Sequence, residues 1–326
     1  MKARRPPLLS SVAVTLGLLA GCTASTSPSA APRRSAPVAT GTTTTTIPGS
    51  RPSAACGRAD GSARLRGSTV QRVTTGGAGH SYLLSVPASY LPTRPTPLVL
   101  LFSGFGSDAR SMAALTKLPA LGATRGVIVA TPEGPNHTWQ LSGKGTDAAF
   151  VDDIVATLAK TLCVDLHRVF AAGFSQGAAF TILYACARPA RIAAIATVAV
   201  EFQLGCKQPM SILAFHGTVD PAVPYRNGAI GASLPGLKVR GTLLNMGDWA
   251  RLGRCSPTPA TRQVGTEVTL KTWPRCTNGT AVALYTIQNG SHTWPGANPA
   301  ASPLYTTQQI NATTLILSFF ADHRLA

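Results

Sequence analysis

The stretch VFAAGFSQGAAF, Val169 to Phe180, leads from a short aliphatic run through Gly173, Ser175 and Gly177 into a series of small residues. It holds the one Gly-x-Ser-x-Gly of the chain. With 31 glycines in 326 residues, a shuffled chain would contain such a match roughly one time in five, so the pattern needs its context to mean anything. The context supplies it. A β-type run, Val169–Ala172, enters the turn, and a small-residue helical run, Ala178–Ala187, leaves it. A strand–turn–helix of this kind holds a nucleophile in a strained bend, where the residues two before and two after must be small. The free N–H groups at the start of the helix favour negative charge there. Ser175 is therefore the candidate nucleophile, at the carboxyl end of a buried strand.

Working outward, the runs Leu98–Phe102, Val127–Ala130, Ile195–Val200, Ile212–Phe215 and Ala281–Ile287 are near-continuously apolar, as strands covered on both faces must be. Between them, Phe150, Ile154, Val155, Leu158 and Leu162 repeat at helical spacing, and Thr306–Ala321 predicts a C-terminal helix. The Gly-rich stretch Arg226–Leu244 predicts a loop. Strands alternating with helices predict an α/β fold, a mostly parallel doubly wound sheet with helices on both faces. Chemistry in such sheets gathers at the carboxyl ends of the strands.

Two further residues stand at such ends. His292, in NGSHTWPG, follows the last core strand in a loop from which a general base can reach Ser175. His216 is its rival, placed directly at a strand end beside Gly217. The acid that should orient the imidazole is Asp220, in HGTVDPAVPY, with Glu201 at the end of the preceding strand as the alternative. The order Ser175, Asp220, His292 is the chain order of α/β-hydrolases. An oxyanion hole needs two N–H donors. The backbone of Gln176 offers one, and Gly104 or Phe105, in FSGFGSD, the other.

The N-terminus predicts export. Lys2, Arg4 and Arg5 precede an apolar stretch from Leu8 to Ala20, too short for a membrane span, and LAGC ends at Cys22 as a lipobox does. The expected organisation is a signal segment over residues 1–21, a tether over 22–60 and a catalytic domain over 61–326, with Cys22 as the lipid-anchor residue. From Thr23 to about Ala55 the tether is rich in Ser, Thr, Pro and Ala and carries too little apolar surface to offset its ordering entropy. The net charge of +17 falls to +11 once Lys2, Arg4, Arg5, Arg33, Arg34 and Arg51 are set aside. The remaining basic residues are scattered singly, which excludes a nucleic-acid motif and leaves no nucleic-acid partner expected. Six cysteines besides Cys22 include no C-x-x-C pair, which argues against a metal, and an even number in an exported chain favours disulfides. Fifteen pairings are open. Cys255–Cys276, flanking one polar excursion, is the first choice, followed by Cys186–Cys206 and Cys56–Cys163.

From about Thr69 to Phe320 the chain resembles the secreted esterases grouped with poly(3-hydroxybutyrate) depolymerases and with feruloyl and acetylxylan esterases. CVDLHRVFAAGFSQGAA, LAFHGTVDPAVPY and NGSHTWPG carry the resemblance, in matching order and spacing. It implies a cofactor-free carboxylic-ester hydrolase with Ser175, Asp220 and His292 as its catalytic residues. The implied partners are an ester substrate, polymeric or envelope-derived, and the membrane through Cys22, at the extracellular face of the envelope. Trp294, in the family's Trp-Pro-Gly, and Trp139 are the candidate substrate-binding residues. One departure stands out, because the family's first loop carries His-Gly where this chain has Ser103-Gly104. Acyl transfer to an envelope sugar on the same residues, or polymer binding without catalysis, are the alternatives.

Overall fold

The aliphatic runs become the strands of one sheet. The computed structural model describes residues 47–58, 65–203, 205–230 and 238–326. The expected signal segment, Cys22 and the tether up to residue 46 lie outside the described residues. β1 (Gly67–Thr75) and β2 (Ala78–Val86) form a hairpin, followed by β3 (Thr96–Phe102) and the short helices α1 (Ala109–Thr116) and α2 (Leu118–Thr124). Then come β4 (Ile128–Pro132), α3 (Thr146–Thr161), β5 (Val164–Phe174), α4 (Gln176–Cys186), β6 (Ala194–Val198) and β7 (Ser211–Gly217). A two-residue ribbon of β8 (Gly228–Ala229) and β9 (Lys238–Val239) leads to α5 (Thr242–Leu252). Last are β10 (Ala260–Val264), β11 (Val268–Trp273), β12 (Val282–Ile287) and α6 (Ala312–Ala321).

The large sheet has the order β1-β2-β4-β3-β5-β6-β7-β12-β11-β10. Its six central strands, β4 through β12, are mutually parallel. Both edges are antiparallel hairpins. Successive residues of a strand face opposite sides, and β5 shows the consequence. Val169 and Ala171 join one core with α3, α4 and α5, while Phe170 and Ala172 join another with α1, α2 and α6. The predicted doubly wound architecture is thus the observed one, with two antiparallel borders added.

Several boundaries differ from the sequence reading. The expected tether runs to residue 60, yet Arg51–Cys56 is packed on the domain. Leu166 N–H donates to the Arg51 carbonyl at 2.8 Å, Ser53 N–H to the Val164 carbonyl at 2.9 Å, and the Ser53 hydroxyl to the Leu162 carbonyl at 2.8 Å. A covalent bond holds that segment, since Cys56 pairs with Cys163, and the other bridges are Cys186–Cys206 and Cys255–Cys276. All three follow the pairings ranked first from the sequence. The loop expected over Arg226–Leu244 ends early, because α5 starts at Thr242. The C-terminal helix starts at Ala312 rather than Thr306, because the Asn311 side chain caps it by accepting from the Thr314 N–H at 2.9 Å.

The turn between β5 and α4 packs tightly against its neighbours. Ser175 has φ 54° and ψ −121°, a conformation that side chains rarely adopt. A Cβ on Gly177 would press into the carbonyl oxygens of Phe102 and Ser103, and one on Gly173 would press into the Gly177 carbonyl. Only glycine lets the turn seat against the end of β3.

Two outcomes follow from these contacts. Gly177→Ala should destabilise the domain by about 1–3 kcal/mol through overpacking against backbone that cannot yield, read as a lower urea midpoint. The double variant Cys56→Ala/Cys163→Ala should lose about 2–5 kcal/mol, because that bridge closes a long loop. Equal unfolding midpoints for it and the parent chain would contradict this account of the N-terminal segment.

Candidate active site

The three residues singled out in the sequence converge at the carboxyl end of the sheet. Ser175 stands in the turn after β5, with its N–H donating to the Val198 carbonyl at 3.0 Å and its own carbonyl accepting from Ala178 and Ala179 at 2.9 and 3.1 Å. These bonds hold the strained backbone. His292 Nε2 lies 2.9 Å from Ser175 Oγ, and His292 Nδ1 lies 2.8 Å from Asp220 Oδ2. A carboxylate only accepts, so Nδ1 carries the proton and Nε2 is left to accept from the serine hydroxyl. Asp220 Oδ1 accepts from the N–H groups of Ala222 and Val223, each at 2.8 Å. A fully buried carboxylate with its acceptor sites occupied in this way has a fixed orientation.

The acid and base loops are joined backbone to backbone. Thr218 N–H donates to the Ile287 carbonyl at 2.9 Å, Val219 N–H to the Gly290 carbonyl at 3.0 Å, and Asn289 N–H to the Thr218 hydroxyl at 2.8 Å. Gly217 lies so close to Gly290 that a Cβ would strike its carbonyl. His292 and Asp220 are therefore positioned by one shared unit. The Phe174 ring, 4.9 Å from the imidazole, packs beside it.

Gly104 and Gln176, expected as oxyanion donors, border the nucleophile turn. The Gly104 backbone packs so closely against Ser175 that a Cβ on Gly104 would stand 3.4 Å from the serine Cβ. Among the described residues the N–H groups of Gly104 and Phe105 take no acceptor. Gln176 opens α4, where an N–H has no intrahelical partner. The Gly104 backbone and Gln176 thus adjoin Ser175, and the amides of Gly104 and Phe105 are free.

Both tryptophans expected to touch substrate are buried instead. Trp139, only 3% exposed, stacks on Phe180 at 4.7 Å, and its indole N–H donates to the Ser103 carbonyl at 2.9 Å. It braces the loop of Gly104 from beneath. That contact holds the loop in place at Ser103. Trp294, 1% exposed, donates to the Thr313 hydroxyl at 3.0 Å and fixes the His292 loop to α6. Both side chains are drawn into the core because each indole finds its acceptor there.

Sequence reading missed the Gln176 side chain. Its Oε1 accepts from Trp139 N–H at 3.1 Å, tying the 135–140 loop to the nucleophile turn. No local pattern signals that contact. The rivals His216 and Glu201 do not reach Ser175, and they pair with each other at 2.8 Å behind Asp220.

No protein-family model matches the chain. Feruloyl esterase D of Neurospora crassa is 27% identical over 275 residues, covering 79% of this chain and 89% of that protein. Feruloyl esterase C of Emericella nidulans is 31% identical over 158 residues, 46% of this chain, and the match spans 58% of that relative's length. Among solved structures, the acetyl xylan esterase from Aspergillus awamori superposes with a TM-score of 0.57 at 15% identity, over 78% of this chain and 99% of that one. That likeness is one of fold. The sheet, the esterase relatives and the shared fold agree: the chain has an α/β-hydrolase fold and is an ester hydrolase similar to the feruloyl esterases.

Proposed function

We propose that this ester hydrolase is a serine esterase that works through an acyl-enzyme on Ser175, cleaving polymer-borne or envelope esters outside the cell. The observation that carries the reading is the unbroken series Ser175, His292, Asp220, at 2.9 and 2.8 Å, on a strained turn. As Oγ attacks the ester carbonyl, His292 Nε2 takes its proton, and the Asp220 carboxylate stabilises the imidazolium that forms. The N–H groups of Gln176 and of Gly104 or Phe105 receive the oxyanion. His292 then protonates the departing alcohol, and water repeats the sequence on the acyl-enzyme.

Three large apolar side chains stand exposed on the loops that carry this machinery. Phe105 is 68% exposed beside the oxyanion loop, Val219 is 56% exposed next to Asp220, and Tyr305 is 52% exposed, its carbonyl accepting from Thr293 at 3.2 Å. An apolar rim of this kind suits an aromatic or hydroxyalkanoyl acyl group on a chain too large for a closed pocket. Feruloyl, acetyl and 3-hydroxybutyrate esters are the substrate classes proposed.

Three disulfides are those of a protein that matures in an oxidising, extracellular environment. Beyond that, we propose anchoring through acylated Cys22. The described chain enters the domain at the amino-terminal end of β5, where Pro52 bridges to Asp165, so attachment there leaves the opposite, catalytic end free.

A fluorophosphonate should label the protein stoichiometrically at Ser175, and Ser175→Ala should take no label. His292→Ala should lower kcat/KM by about 10²–10⁴-fold with unchanged circular dichroism. Near-normal turnover in that variant would remove His292 from the mechanism. A panel of p-nitrophenyl esters of rising chain length, run beside feruloyl and hydroxybutyrate oligomers, assigns the acyl group. If an added sugar suppressed hydrolysis while a new ester formed, the chain would be a transferase.

A further inference from the structure

Two titratable side chains that the reaction does not use lie directly behind Asp220. His216, in β7, and Glu201, just beyond β6, are both buried, and their side chains are 0% and 2% exposed. His216 Nδ1 lies 2.8 Å from Glu201 Oε2, and Nε2 lies 2.9 Å from the Val223 carbonyl. Nε2 also lies 3.6 Å from Asp220 Oδ2, the oxygen that accepts from His292. Helix α5 closes the pocket. Thr242 Oγ1 is 2.9 Å from Nδ1, Asn245 donates to Glu201 Oε1 at 3.2 Å, and the Trp249 indole donates to the Glu201 carbonyl at 2.8 Å. The Tyr225 ring stands edge-on to His216 at 5.6 Å, its hydroxyl engaged with Thr286.

The ring's neighbours dictate its proton count. A carbonyl oxygen has no proton to give, so Nε2 must donate to Val223. Against an ionised Glu201 carboxylate, which only accepts, Nδ1 must donate. A neutral imidazole has one N–H, and this site calls for two. We propose that His216 is a permanently protonated positioning residue: paired with Glu201, it holds a positive charge against the back of Asp220 and grips the acid loop at Val223. Two carboxylates share this buried region, and an imidazolium between them offsets the charge of both. Burial alone would push the His216 imidazole down, but the Glu201 carboxylate, its hydrogen bond and the Asp220 charge together hold it above its ordinary value.

The role rests on the serine-esterase reading above, yet its first test does not depend on hydrolysis. In the full chain labelled with ¹⁵N-histidine, His216 should show two protonated ring nitrogens at about pH 8, where an ordinary imidazole is neutral. A neutral ring there overturns the proposal. His216→Gln retains a donor and removes the charge. With no cation behind it, Asp220 favours the His292 imidazolium more strongly, so the acid limb of kcat/KM should move to higher pH. Activity near pH 5.5 should then fall about threefold or more beyond any loss at about pH 8, with KM little changed. Equal losses at both pH values, with the limb unmoved, would reduce His216 to packing and overturn the electrostatic role. If the variant does not fold, the ring measurement on the parent chain decides alone. Fluorophosphonate labelling of the same samples reports on Ser175 separately, so a failed nucleophile and a neutral His216 are told apart.

Discussion

A serine held at φ 54° is unfavourable by about 1–3 kcal/mol and persists only where its surroundings leave no alternative. Here the surroundings are specific. The turn's backbone is bonded to Val198 on β6 and to the first turn of α4, and its two glycines seat it against the carbonyls that end β3. Three neighbouring elements therefore fix one hydroxyl. Other parts of the site are referred to that point: the Gly104 backbone lies beside it because β3 ends there, and the amide of Gln176 because α4 begins there.

The second constraint is electrostatic. Asp220, Glu201 and His216 are all buried, where an unpaired charge would be very costly. Each carboxylate is answered by fixed donors: Asp220 by two backbone amides and His292, Glu201 by Asn245 and His216. The network also ties strands β6 and β7 to α5 and to the acid loop, so the same bonds that satisfy the charges hold the base at its distance from Ser175. Orientation of the acid is a property of this whole cluster rather than of Asp220 alone.

What the sequence made legible follows from which signals are local. The central strands announce themselves because a strand covered on both faces is apolar at every position, and Leu98–Phe102 and Ile212–Phe215 are buried throughout. The nucleophile turn is legible because its steric demands fall on residues within two positions of Ser175. The edge hairpins are invisible for the converse reason. β1 alternates exposed and half-buried residues and β10 is almost wholly exposed, so neither carries an apolar run. Trp139 and Trp294 are misjudged from sequence because an indole's direction depends on acceptors far away along the chain, Ser103 and Thr313. His216 and Glu201 are each recognisable as chemistry-bearing, yet they are partners rather than rivals. They stand 15 positions apart, and only the adjacency of β6 and β7 shows that they form one pair.

The sheet also separates two mechanical roles by direction. Its carboxyl end carries the strained turn, the acid and base loops and the exposed apolar rim. Its amino end receives the N-terminal segment, held by the Cys56–Cys163 bridge and by Ser53 and Arg51 against the start of β5. Strand β5 spans both, entering beside Cys163 and ending at Phe174. A pull on the N-terminal segment is thus taken up by a disulfide and by backbone bonds one strand-length away from Ser175. It reaches the site along β5, a strand clamped between β3 and β6. A chain attached at that end can strain against its attachment without disturbing a hydroxyl whose usefulness depends on tenths of an ångström.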